Sequence, residues 1–324
     1  MLSSDDFVTL PHSQDLTVAG ITHLCRVLHQ LGPRRKGWSS HRLRQFVAQL
    51  AAELAFRRWL AGKSIDHHPL EPPPPGEQSR PILTLSRRRC AVIAQLVARR
   101  ETIRRVRRAP EDLLDMPAQV NGDALYESPL RGAEVFVFAH VLALVTTRRD
   151  SLRRAIEAGQ PFYLIYLPPK RWNSPAAWRS LGRLALKSDA SQAVKLEIGG
   201  QDEGRRFISE RVSLSPRRIV QAEGDYHTLT YLHPQSLPDG PLGVHSPVLA
   251  ETLLVHPRQW TNLWLYGLEI VFSGYVTAEE LRRRARPLST IGTPFPAQGG
   301  GKGNLALLVG RLHPLDELTG GLAA

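Results

Sequence analysis

The side chains with the most chemistry to offer are one carboxylate and a crowd of arginines. Glu53 stands in QLAAELAFRRWLAG, and nine arginines fill SRRRCAVIAQLVARRETIRRVRR, residues 86 to 108, around a short apolar run. Carboxylates that share a Mg²⁺ ion activate water and offset charge on a phosphate, and a nearby lysine positions the nucleophile. Arginines alone do something different: their planar forks bind phosphate oxygens and leave the ester intact. The second chemistry is better supplied here. Glu101 is the only acid among the nine arginines, and none of the six lysines (Lys36, Lys63, Lys170, Lys187, Lys195, Lys302) has Asp, Glu or Gln two residues before it. Glu53 also has a plain structural use. Arg57 follows it by one helical turn, and such pairs stabilise a helix by about 0.2–0.5 kcal/mol.

Other motifs fall short of a site. In QGGGKGN (298 to 304) the phosphate-loop pattern would need its first glycine at Pro296 and its hydroxyl at Gly303, so a loop is expected. Asp66, His67 and His68 are three metal-binding types in a row, but they border a proline run and have no partner at ligand spacing. His227 and His233, six apart in YHTLTYLHP, read as structural, and no G-x-S-x-G elbow occurs. Trp260, Trp264 and Tyr266 cluster in RQWTNLWLYG, after Trp172 and Trp178 in KRWNSPAAWRS. Aromatics near Arg can stack on bases. Trp264 is expected in the core, and Trp172, beside Lys170 and Arg171, at the surface.

The charge is concentrated. Between Arg26 and Arg108 there are 19 basic and 5 acidic residues, whereas the remainder has 23 basic against 25 acidic. The whole excess of +12 therefore comes from about a quarter of the chain. Such a field attracts polyanions, and nucleic acid (DNA or RNA) is the partner it fits first. With 324 residues, 42% apolar, the chain can bury a sizeable core. Its longest apolar stretches, such as VFVFAHVLALV, are far shorter than the roughly 20 residues of a membrane span. MLSSDDFVTL lacks the basic start and apolar run of a secretory signal. Two cysteines in apolar settings, Cys25 and Cys90, read as reduced core residues. A cytoplasmic protein without a membrane partner is expected.

These groups must be positioned by the elements around them. Apolar residues recur at helical spacing over 15 to 31, with Gly32-Pro33 as a stop, and again over about 41 to 61. Four consecutive prolines in DHHPLEPPPPGEQSRP forbid helix. Residues 81 to 97 read as a hairpin or as a strand running into a helix, and 99 to 108 as a helix facing Ile103 and Val106 inward. FYLIYL is a buried strand, and from there the chain turns strand-rich until TAEELRRRARPL, a helix with Thr277 and Glu280 spaced as a capping box. The expected fold class is α/β or α+β: a basic helical and mixed-sheet region over 1–160, a strand-rich region over 161–288, and a Gly- and Pro-containing tail over 289–324.

A helix with a glutamate, followed by strands, resembles the core of the PD-(D/E)XK, restriction-endonuclease-like nucleases. The resemblance covers about 60 residues, from the Glu53 helix through 97. In that superfamily the strand after the helix carries an aspartate, and its neighbour carries an acid, a spacer and a lysine. Here RRRCAVIAQLV puts Ala91 at the acid position and Ile93 at the lysine position, and Pro81–Leu85 has no carboxylate. What this implies is a degenerate, inactive nuclease core, with Glu53 a remnant and no confident catalytic or metal residue. It would hold phosphates through Arg34, Arg35, Lys36, Arg87, Arg88, Arg89, Arg99, Arg100, Arg104, Arg105, Arg107 and Arg108. Two alternatives stay open. One is an active Mg²⁺-dependent nuclease with relocated acids among Glu53, Asp66, Glu71 and Glu77. The other is a non-enzymatic subunit of a larger assembly, docking on an acidic partner protein.

Overall fold

The computed structural model describes residues 2–30, 39–70, 81–85, 88–121, 134–173, 177–290 and 304–320. The chain is mixed α/β and divides into two compact units, each built from separate stretches. Unit 1 comprises Met1–Gly20, Arg44–Leu144 and Leu265–Ala324, and unit 2 comprises Ile21–Leu43 and Val145–Trp264. This division cuts across the three consecutive regions expected from the sequence. The reason lies in strand pairing, since a late strand returns to pair with the first one.

Unit 1 is organised on six strands. In order across the sheet they are β1 (Val8–Pro11), β16 (Tyr266–Thr277), β6 (Val135–Leu144), β4 (Arg88–Val97), β3 (Leu83–Leu85) and β2 (His67–Pro69). β4 and β6 are parallel and every other pairing is antiparallel. β6, VFVFAHVLAL, is buried along nearly its whole length, as a strand covered on both faces must be. The proline-ended β1 takes an edge, where a missing N–H costs no ladder bond. DHH proves to border strand rather than loop, because His67–Pro69 pairs with Leu83–Leu85.

Helices cover both faces of this sheet. α2 (Ser40–Gly62) supplies Phe56, whose ring lies 5.4 Å from that of Phe272 on β16. α3 (Arg100–Arg108) covers the other face. Its Ile103 and Val106 join Ala91, Phe136, Phe138, Leu142 and Val271 in one apolar cluster. α1 (Gln14–Val27) is tied to α2 by an ion pair between Asp15 and Arg58 at 2.5 Å. Asp15 sits inside the first turn, since α1 begins at Gln14, and Arg58 holds its carboxyl down at about 2. Gly20 is required at the α1–α2 contact, since a Cβ there would lie 2.8 Å from the Val47 carbonyl oxygen.

The same cluster takes Ala118 and Val120 of β5 (Pro117–Asn121) and Leu307 of β18 (Asn304–Leu308). Those strands form a small sheet with β17 (Arg286–Pro287). α6 (Ala278–Arg284) has the expected cap: the Glu280 amide donates to Thr277 Oγ1 at 3.2 Å. α7 (Leu315–Gly320) ends the described chain.

Unit 2 is strand-rich. β10 (Phe207–Leu214), β9 (Val194–Gln201) and β12 (Thr228–Pro234) form one antiparallel sheet. β11 (Ile219–Gln221), β8 (Ala185–Ser188), β13 (Leu242–Ser246) and β14 (Glu251–Val255) form another. β7 (Leu164–Ile165) pairs with β15 (Thr261–Asn262), so only the centre of FYLIYL is strand. α4 (Arg149–Glu157) and the short α5 (Lys170–Asn173) complete it. Both larger sheets feed one core containing Leu186, Leu196, Leu232 and Val244. Trp172 belongs to that core and is fully buried, which overturns the surface position expected from its basic neighbours. Trp264 is buried as expected.

Candidate nucleic-acid interface

α3 is where the arginines gather. Ile103 and Val106 fix one face of the helix in the core of unit 1, and Arg99, Arg100, Arg104, Arg105, Arg107 and Arg108 are all exposed. At 3.6 residues per turn, Arg100, Arg104, Arg107 and Arg108 share one face. Two arginines have acidic partners, Arg105 with Asp112 and Arg107 with Glu269. Arg99, Arg100, Arg104 and Arg108 form no ion pair among the described residues. Like charges one turn apart cost about 0.2–0.5 kcal/mol per pair, so this array works against the helix that displays it. Glu101 in the first turn and three arginines in the last offset part of that cost through the helix dipole.

Arg88 and Arg89 do not join this face. They open β4 and are exposed, whereas α3 follows its far end. Nine strand steps of about 3.3 Å separate Arg88 from Val97, roughly 30 Å. Arg89 lies 3.6 Å from the buried Glu134. Burial pushes the Glu134 carboxyl up, against the pull of Arg89 and Arg282. Arg34, Arg35, Lys36 and Arg87 lie outside the described residues, as do Glu71, Glu77 and all but the last residue of QGGGKGN.

Glu53 has a setting that its expected pairing with Arg57 does not describe. No ion pair joins the two; the Glu53 Oε1 atom accepts from Gln49 Nε2 at 2.7 Å. Burial pushes the carboxyl up to about 7, with the Gln49 hydrogen bond and the Arg57 charge pulling the other way. Gln49 is itself part of a ladder. β3 pairs with β4 only as far as Cys90 among the described residues. Beyond it, Gln49 Nε2 donates to Val92 O at 2.6 Å, and its Oε1 accepts from the Ala94 amide at 2.8 Å. One turn earlier, Gln45 Nε2 donates to Ala94 O at 2.6 Å, and its Oε1 accepts from the Leu96 amide at 2.9 Å. Two helix side chains thus stand in for a missing strand. Their signal in the sequence is Gln45, Gln49 and Glu53 at a strict four-residue spacing, which an apolar-periodicity reading passes over.

The two residues that the expected resemblance set at acid and lysine positions take part in apolar packing. Ala91 is buried, and Ile93 packs against the same cluster under α3. Glu53 belongs to α2, on the other face of the sheet. The histidines also stay apart. Asp66 and His68 form an exposed contact at 3.6 Å, His227 stacks on Trp178, and the His233 ring lies 3.7 Å from that of Tyr163.

A histidine that the sequence did not single out carries more information. His140 of β6 is 1% exposed, neither ring nitrogen has a hydrogen-bond partner, and burial lowers it to about 4. No family model matches the chain, and searches of curated proteins and of solved structures likewise return no match. Among the described residues no helix is long and apolar enough to cross a membrane.

Proposed function

We propose that this protein holds nucleic acid by its phosphates through α3, on a nuclease-like core that does not cut. The observation that carries the reading is the exposed arginine face of α3, with Arg100, Arg104 and Arg108 of the helix and its N-cap residue Arg99 left without an acidic partner among the described residues. Guanidinium groups on a packed helix bind phosphate oxygens without reading bases. The likeness to the restriction-endonuclease-like core draws support from the succession of α2, β2, β3 and β4, with Glu53 on the helix that leads in. The inactive reading draws on Ala91 and Ile93 in place of acid and lysine.

The test is fluorescence anisotropy with labelled DNA and RNA across a salt series, with Mg²⁺ and Mn²⁺ cleavage assayed on the same samples. Four phosphate contacts give a log–log salt slope of about −3.6 on a duplex, a loss of roughly a hundredfold between 50 and 200 mM salt. The strands are expected to stay intact. Metal-dependent cleavage would overturn the inactive core, and no binding at low salt would turn the basic face toward an acidic protein partner.

A further inference from the structure

We infer that the partner of α3 is double-stranded, gripped along its backbone rather than by stacked bases; this rests on the phosphate-holding reading above. Two observations and one general property of duplexes point the same way. First, proteins that take single strands pair a basic groove with aromatic platforms on which bases stack. α3 displays no aromatic residue, and the large hydrophobic side chains exposed among the described residues are Val18, Ile219, Val248, Leu254 and Leu268. Trp178 is partly open, but Arg205 lies 4.5 Å over its ring and His227 stacks on it, so it offers no free platform.

Second, the helix that carries the charges is anchored. Ile103 and Val106 hold α3 in the core, and Arg100 to Arg108 extend over about 12 Å of helix. Guanidiniums set along a fixed axis suit a stiff partner with regularly placed phosphates; a flexible strand would have to be ordered to match it. Third, a duplex carries more condensed counterions. Each neutralised phosphate contributes about 0.9 to the salt slope on a duplex and about 0.7 on a single strand. Over four contacts the duplex gains about sixfold at 0.1 M salt from that difference alone.

The shared chemistry is a duplex phosphate backbone, which DNA and RNA both present. The full-length chain would be titrated with duplex DNA, duplex RNA and the single strands of each, at equal length and salt. Duplexes are expected to bind about sixfold more tightly or better. A variant carrying Arg100→Gln, Arg104→Gln and Arg108→Gln is expected to lose about 2.7 from the duplex slope, with unchanged circular dichroism because all three side chains are exposed. A preference between the two duplexes would identify the source and leave the inference standing. Single strands binding as tightly as duplexes, with a steep salt slope, would overturn this inference but not the phosphate-holding reading. Absence of binding to all four would overturn both.

Discussion

A half-buried carboxyl and a buried imidazole give unit 1 opposite dependences on pH. Glu53 is raised to about 7 in the folded protein. Its folded form holds a proton that the unfolded chain releases above the ordinary carboxylate range. That stability is therefore fully present below about pH 4.5 and is lost as pH rises through 7. Glu53→Gln should flatten the fall in melting temperature between pH 5 and 8; an unchanged slope would show that the carboxyl is ionised in the fold. His140 acts in the reverse sense. It is lowered to about 4, so acid favours the unfolded chain, which takes up a proton that the fold excludes, and stability falls from about pH 6.5 toward 4. His140→Phe removes the titrating ring from its place between Gln95 and Val271 in the sheet and should raise the melting temperature at pH 5 more than at pH 8. Equal shifts at both values would point to packing alone.

At the scale of elements, α2 and β4 are joined by side-chain amides where a strand would be expected. Gln49→Ala leaves Val92 O and the Ala94 N–H without their partner, and an unsatisfied buried group costs about 1–3 kcal/mol. An unfolding free energy lower by at least that much is expected from denaturation curves, with faster hydrogen exchange at the Ala94 amide. Normal protection there would mean that another group fills the gap. α3 makes the opposite trade. Arg104 stands one turn from both Arg100 and Arg108. Arg104→Gln should raise stability by about 0.4–1 kcal/mol while weakening binding and taking about 0.9 from the salt slope. Loss of both stability and binding would show that Arg104 is held by the fold.

For the whole molecule, the sequence disclosed elements better than their assembly. α2, α3 and the capped α6 follow local spacing, whereas the apolar run of β6, interrupted by His140, is equally compatible with a buried helix. Trp172 was hidden because its neighbours in sequence are basic while it packs in the apolar core of unit 2. The arginines of β4 and α3 read as one face in sequence and fall near opposite ends of a ten-residue strand in space. Interleaving of the two units escapes any local reading, because it is decided by pairing between residues more than a hundred positions apart. β16 lies between β1 and β6. As the chain emerges during synthesis, both strands must wait for Tyr266–Thr277 before the sheet can close. The stretch 145 to 264 is by then already made, so the long-range closure of unit 1 comes late and sets a slow step. Until then β1 and one side of β6 remain open edges, and a chain arrested before residue 266 exposes the apolar β6 as a template for aggregation.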